Sequence, residues 1–236
     1  DDNQTIGTSY TVKHVVDGIE QTIDTKKYAS TAWQNDDPAM ITIQDGSLAQ
    51  KTYKGYKYES IVATNNVQNV TEATEVPSGT EITLIYVKDE AQRQPTEYTI
   101  EYYRDGVKVE IDSYTRTSTA WINDNPAMIA IQDEIDSSPS KYVGYSLSAT
   151  SPKVVPVVGQ EVESGTFIRL YYTSNTYTVR YTDGVESETI FTDAIYPAKY
   201  GDSTPSFGAN PTRTGYTFTG WSPAVASTVT GDVTYT

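Results

Sequence analysis

The chain has 236 residues, no cysteine, one histidine, and 31 acidic against 17 basic side chains, for a net charge of −14. Affinity for phosphates and for anionic bilayers comes from Lys and Arg, so neither nucleic acid nor a membrane surface is expected as a partner. Thiol chemistry and disulfides are excluded, a single imidazole gives no basis for a histidine metal site, and no apolar run approaches the roughly 20 residues of a bilayer span. The chain opens on Asp1-Asp2 with no basic-then-apolar leader and reads as a mature fragment that is not inserted in a membrane. Twenty Tyr against 4 Phe, with Thr and Val throughout, suits a pleated, half-buried surface. The expected fold is mainly β, with α+β left open by one segment.

Residues 1–8 read as a tail. Tyr10, Val12 and His14 then alternate with Thr11 and Lys13, the period-two signature of a strand whose first set faces inward. Asp17-Gly18 predicts a type I′ hairpin turn. The stretch 31–45 is ambiguous. Asp37-Pro38 resembles a helix N-cap with proline in the first turn, whereas Met40-Ile41-Thr42-Ile43 suits a strand, and a short helix or irregular segment is favoured. A Gly55-Tyr56 pair follows, and Ser78 to Tyr86 reads as a closing strand. Residues 91–96 are polar, contain Pro95 and read as a linker.

The same order of elements then returns. Thr31 to Asp45 recurs 88 residues later as Thr119 to Asp133, with only 3 of 15 positions different. Tyr98, Ile100 and Tyr102 repeat the first strand, Asp105-Gly106 the turn, Gly144-Tyr145 the Gly-Tyr pair, and Ser164 to Tyr172 the closing strand. A third unit restarts at Tyr177-Thr-Val-Arg-Tyr181, with Asp183-Gly184 and Gly215-Tyr216 in the corresponding places. It lacks the Trp-x-Asn-Asp-x-Pro-Ala-Met segment, and Asp232 to Thr236 reads as a closing strand cut short. The expected domains are therefore repeat 1 (9–90), repeat 2 (97–174) and repeat 3 (175–236), forming an elongated array.

Few residues carry chemistry. His14 corresponds to Tyr102 and Tyr181, so an imidazole reaction would exist in one repeat only, and a structural role is expected. Asn35-Asp36-Asp37 and Asn123-Asp124-Asn125 offer oxygen ligands but lack the spaced calcium-loop pattern, and read as turn residues. No nucleophile elbow, phosphate loop or shared pair of acids appears, so no enzyme, cofactor or metal is expected. Trp33, Trp121 and Trp221 remain as candidate ligand-binding residues. An exposed ring could stack on a sugar face, whereas a buried one would anchor the small core of its own repeat.

Two resemblances follow from these motifs. Tyr177-Thr-Val-Arg-Tyr181, Lys199-Tyr-Gly201 and Asn210-Pro-Thr-Arg-Thr-Gly-Tyr-Thr-Phe-Thr-Gly-Trp221 resemble the internalin B-repeat, or Listeria–Bacteroides repeat. Residues 9–174 resemble two repeats of the mucin-binding-protein type, through the Tyr-Thr-Val/Ile opening, the Asp-Gly turn and the later Gly-Tyr. A monomer is expected, and the resemblance implies β-grasp-like units in a wall-attached, extracellular protein of a Gram-positive-type bacterium. It implies adhesion to host glycan or glycoprotein, or else a passive stalk, and it supplies no catalytic residues.

Overall fold

Alternating Tyr, Val, Ile and Thr produce strands throughout. The structure, a computed structural model, describes residues 4–236, so the first three residues of the expected tail lie outside it. Among the described residues there is no α-helix, and hence no helix long and apolar enough to cross a membrane. Two compact units are present: Asp1–Pro95 with Thr119–Ala127, and Thr96–Ser118 with Met128–Thr236.

Repeat 1 contains β1 (Thr5–Val16), β2 (Ile19–Glu20), β3 (Lys26–Trp33), β4 (Met40–Thr42), β5 (Tyr56–Ala63), β6 (Glu75–Pro77) and β7 (Thr80–Lys88). Its main sheet runs β2-β1-β7-β5, with β3 also pairing β1. Strand β1 begins inside the segment read as a tail, where Thr5 pairs with Trp33. The opening and closing strands lie side by side and parallel, from Tyr10 opposite Thr80 to Val16 opposite Tyr86. Repeat 2 reproduces this with β8 (Arg93–Arg104), β9 (Val107–Lys108), β10 (Tyr114–Trp121), β11 (Met128–Ala130), β12 (Tyr145–Leu147), β13 (Glu161–Glu163) and β14 (Thr166–Ser174). Strand β8 is parallel to β14 and includes Arg93 to Thr96 of the expected linker. Repeat 3 has β15 (Thr176–Tyr181) between β16 (Ala194–Lys199) and β17 (Val233–Tyr235), the latter again parallel.

The alternation in the first strands sets the cores. Tyr10, Val12 and His14 are buried, as are Tyr98, Ile100 and Tyr102, then Val179 and Tyr181, while Tyr177 is half-buried. Each repeat has its own apolar cluster. Glu101, on the outward side of β8, is nevertheless only 8% exposed. Arg169 Nε lies 2.7 Å from its carboxylate and Lys108 Nζ 3.3 Å, and Arg169 above all holds its pKa below the usual carboxylate range.

The preference for Tyr over Phe has a direct cause. Backbone N–H and C=O groups buried under a ring need partners, and the tyrosine hydroxyls supply them. The Tyr10 hydroxyl accepts from Gln44 N–H and that of Tyr98 from Gln132 N–H, both at 2.9 Å. Tyr86 accepts from Lys51 N–H at 2.8 Å, whereas Tyr172 and Tyr181 donate to the carbonyls of Ser138 and Pro205. Each of these five tyrosines thus ties a loop to the sheet it is packed on.

Two local expectations are corrected. The segment after Asp37-Pro38 forms no helix. Asp36 N–H closes a turn on Trp33 O at 3.1 Å, and β4 then pairs with β6, burying Ile41 and Ile43. The alternating Met-Ile-Thr-Ile pattern prevails over the N-cap signal, and Ile129 and Ile131 do the same in repeat 2. Asp17-Gly18 and Asp105-Gly106 are tight turns with positive φ at both residues, as type I′ requires. Asp183-Gly184 makes no hairpin. The Asp183 carboxylate instead accepts from Val185 N–H at 3.1 Å and Ile190 N–H at 2.8 Å, organising a longer loop before β16.

Candidate functional site: three tryptophans in three settings

Trp33 is the last residue of β3, beside the N-terminal end of β1, and is 49% exposed. It anchors no core. Ile6 next to it in the sheet is 39% exposed, and Asn35 and Asp36 are exposed as well.

Trp121 sits in nearly the same sequence, with Ile122 in place of Gln34, and has a different fate. It packs at the far end of repeat 1, where β7 ends. Its indole Nε1–H donates to Gly55 O at 3.1 Å and to Asp89 O at 3.2 Å. Its ring meets the Tyr56 ring edge-on, with centroids 5.3 Å apart, and Lys88 Nζ sits 4.7 Å from its centroid. Asn123 Nδ2 donates to Lys54 O at 2.7 Å. The Gln92 side chain accepts from Gly55 N–H at 2.8 Å and donates to Tyr56 O at 3.3 Å. Gly55 has φ +82°, and a Cβ there would lie 2.9 Å from Trp121 Cζ2 and collide with Asn123 Nδ2. Glycine is required twice over, by the backbone and by the ring. Neither Trp33 nor Trp121 anchors the core of its own repeat.

Gly144-Tyr145 repeats this arrangement with a different plug. The Tyr200 ring occupies the space a Cβ on Gly144 would take, and it lies edge-on to Tyr145 with centroids 6.0 Å apart. Tyr200 N–H donates to Asn175 O, and Asn175 N–H to Gly144 O, at 2.9 and 2.8 Å. Gly-Tyr is thus a socket at the end of the sheet, and an aromatic ring fills it. The sequence showed Gly-Tyr only as a recurring marker. Nothing in periodicity points a ring to its seat.

Trp221 lies in repeat 3 among Tyr181, Phe207, Phe218 and Phe191, with centroids 4.8, 5.1, 5.2 and 5.9 Å away. One edge lines an open groove of about 270 Å³ shared with Phe218, Tyr216, Arg213 and Asp183. Tyr216 is 68% exposed, and the Arg213 guanidinium stands 4.2 Å from its ring centroid while pairing with Glu188 at 2.6 Å. Hydrogen bonds from Val185 and Ile190 N–H lower the Asp183 pKa. The groove offers flat apolar faces beside one carboxylate and one guanidinium, a lining suited to a polyhydroxylated ring.

The remaining candidates are structural. His14 Nδ1 lies 3.1 Å from the Tyr86 hydroxyl, and burial depresses its pKa against the opposing field of Asp24. Tyr53 O–H donates to Asp24 at 2.7 Å and Tyr142 O–H to Asp112, a pairing common to both repeats. In the second acidic cluster, Asp124 accepts from Trp121 N–H at 3.0 Å, the turn role expected for it.

No family model matches the sequence, and neither does any curated protein. Among solved structures, the chain is similar to the type 2 repeat of the mucus binding protein MUB from Lactobacillus reuteri. That likeness has 14% identity and a TM-score of 0.23, and covers 71% of this chain and 100% of that one. A second structure, Mub-RV, gives 11% identity and a TM-score of 0.23 over 71% of this chain and 99% of that one. At such TM-scores neither likeness bears on function, which is argued from the groove and the sockets.

Proposed function

We propose that the chain is a non-catalytic, extracellular repeat region of a bacterial surface protein that adheres to host glycan or glycoprotein, with the contact made by the repeat 3 groove. Repeats 9–90, 97–174 and 175–236 act as its modules, the third being of the internalin B-repeat kind and the first two of the mucin-binding kind. The observation that carries this reading is the exposed Tyr216 ring, next to Arg213 and Trp221, on an open groove with polar groups at its rim. Aromatic faces flanked by hydrogen-bonding groups fit a sugar ring, whose C–H face is apolar and whose edge is polar.

A glycan and mucin array probed with the whole chain tests the proposal. Tyr216→Ala with Arg213→Ala is expected to lower binding at least tenfold with only a small shift in melting temperature, because Tyr216 is exposed and the Arg213–Glu188 pair is partly open to solvent. Failure of the intact chain to bind any glycan or glycoprotein would overturn the adhesive reading. It would favour the second one, a passive stalk, which draws on a separate observation: Trp121 is spent on the Gly55 socket instead of facing a ligand.

A further inference from the structure

Repeat 1 carries a plug at one end and a socket at the other. Trp33 pairs with Thr5 at the start of β1, while Gly55 and Asp89 lie beyond the C-terminal end of β7, the strand parallel to β1. The two ends are separated by the length of the sheet, roughly 40 Å for a dozen residues at about 3.3 Å each. The socket holds Trp121. The plug formed by Trp33 is covered by no described residue that would bury it.

The two plugs are the same object. Gln4, Trp33, Asn35 and Asp36 stand where Gln92, Trp121, Asn123 and Asp124 stand 88 residues later. The backbone bonds match too: Gln34 N–H donates to Gln4 O at 3.0 Å, as Ile122 N–H does to Gln92 O at 2.9 Å. Asp36 N–H closes on Trp33 O as Asp124 N–H closes on Trp121 O. In the seated plug, each of the four does a defined job. Trp121 fills the space over Gly55, Asn123 binds Lys54 O, Gln92 clips Gly55 and Tyr56, and Asp124 holds the Trp121 backbone. The three contacts that reach the socket, made by Trp121, Asn123 and Gln92, are not needed to fold the plug's own repeat, because Trp33 leaves its indole half in water and Asn35 is exposed. Trp33 and Asn35, whose counterparts bind the socket, thus stand on a ring that no described residue seats.

From this correspondence we infer that the Trp33 face is a docking surface for the Gly-Tyr end of another repeat of the repeat 1 type. The occupant would present a glycine at positive φ, the following tyrosine, and the backbone carbonyl after its closing strand. Gly144, seated by Tyr200, shows that the socket accepts a ring from a second kind of repeat, so the rule is an aromatic plug and not tryptophan alone. Gly215, the third such glycine, has φ +82° and no described atom within 4 Å of a built Cβ. The repeat 1 end, which seats Trp121, Asn123 and Gln92, is the match for Trp33, Asn35 and Gln4. Docking at repeat 1 stands apart from sugar binding in repeat 3.

The test extends the intact chain by a further copy of residues 4–91 placed directly ahead of Gln4, which restores the native spacing between socket and plug. The parent gives three indole N–H resonances in a nitrogen-15 spectrum, and the extended chain gives a fourth from the added copy's counterpart of Trp33. In the parent chain, the Trp33 indole proton is expected to exchange with solvent quickly and that of Trp121 slowly, since only the latter is bonded to two carbonyls. In the extended chain the Trp33 proton should slow at least tenfold, and Gly→Val at the added copy's equivalent of Gly55 should return it to the parent rate. An unchanged Trp33 rate in a folded extended chain would overturn the inference. Should the extension not fold, Ile122→Gln with Asn125→Asp in the parent makes the seated plug identical to that of repeat 1 over 119–125. Retained protection of Trp121 is expected there, and its loss would likewise overturn the inference.

Discussion

Trp33 and Trp121 are one residue in two situations. They share a strand end, a following turn and most near neighbours in sequence, yet one indole is half in water and the other is bonded to Gly55 and Asp89. The difference lies entirely in what faces them. A repeated motif therefore need not have a repeated role, and a ring that looks like a core anchor in the sequence can belong to a joint.

The most damaging way to break the comparison is at the glycine. Gly55→Val should destabilise unit 1 by about 3 kcal/mol, combining a β-branched residue at positive φ with the collision against Trp121 and Asn123. Gly215→Val, which meets only the φ penalty, should cost roughly 1 kcal/mol. Urea unfolding of both variants measures the gap, and equal losses would show that the socket adds nothing to the requirement for glycine. Next, Trp121→Ala should cost about 2 kcal/mol, below the range for a fully buried tryptophan because its ring is only half-buried. Trp33→Ala should stay within about 0.5 kcal/mol. Tyr98→Phe should cost about 1 kcal/mol by leaving Gln132 N–H unpaired, and Tyr10→Phe should match it through Gln44.

The smallest effect separates the repeats by pH. Burial lowers the His14 pKa in the folded state, with Asp24 opposing and Lys51 and Lys26 reinforcing the shift. The unfolded chain then binds a proton more readily than the folded one. Stability is complete above the ordinary histidine value of about 6.5 and declines as pH falls below it. Denaturation of His14→Tyr, which installs the repeat 2 residue, should be flatter over that interval than the parent's. An equal slope in the two proteins would show that the imidazole is not responsible.

Much of this was legible in the sequence because it is local. Period-two alternation placed Tyr10, Val12 and His14 inward, and positive-φ glycines after aspartate placed two turns. What was not legible involved competition or distance. The N-cap signal at Asp37 lost to the pairing of Ile41 with Val76, residues 35 positions apart. Asp183 was free to cap a loop because no second strand followed Gly184 directly. The seats of Trp121 and Tyr200 depend on a glycine more than 50 residues away in the chain, and no window of sequence contains both partners.

The parallel pairing of opening and closing strands has a mechanical consequence. A chain pulled from its two ends loads repeat 1 through β1 and β7, which run alongside each other from Tyr10–Thr80 to Val16–Tyr86. Force enters at one end of this pair and leaves at the other, directed along the strands. The hydrogen bonds between them lie across that direction, so they resist sliding together and must fail nearly at once. In a hairpin pulled open from its free ends, they would break singly and in order. Repeat 2 has the same geometry, from Tyr98–Thr166 to Arg104–Tyr172. Each of these two modules is therefore built to bear tension without extending, up to the load at which the whole ladder shears.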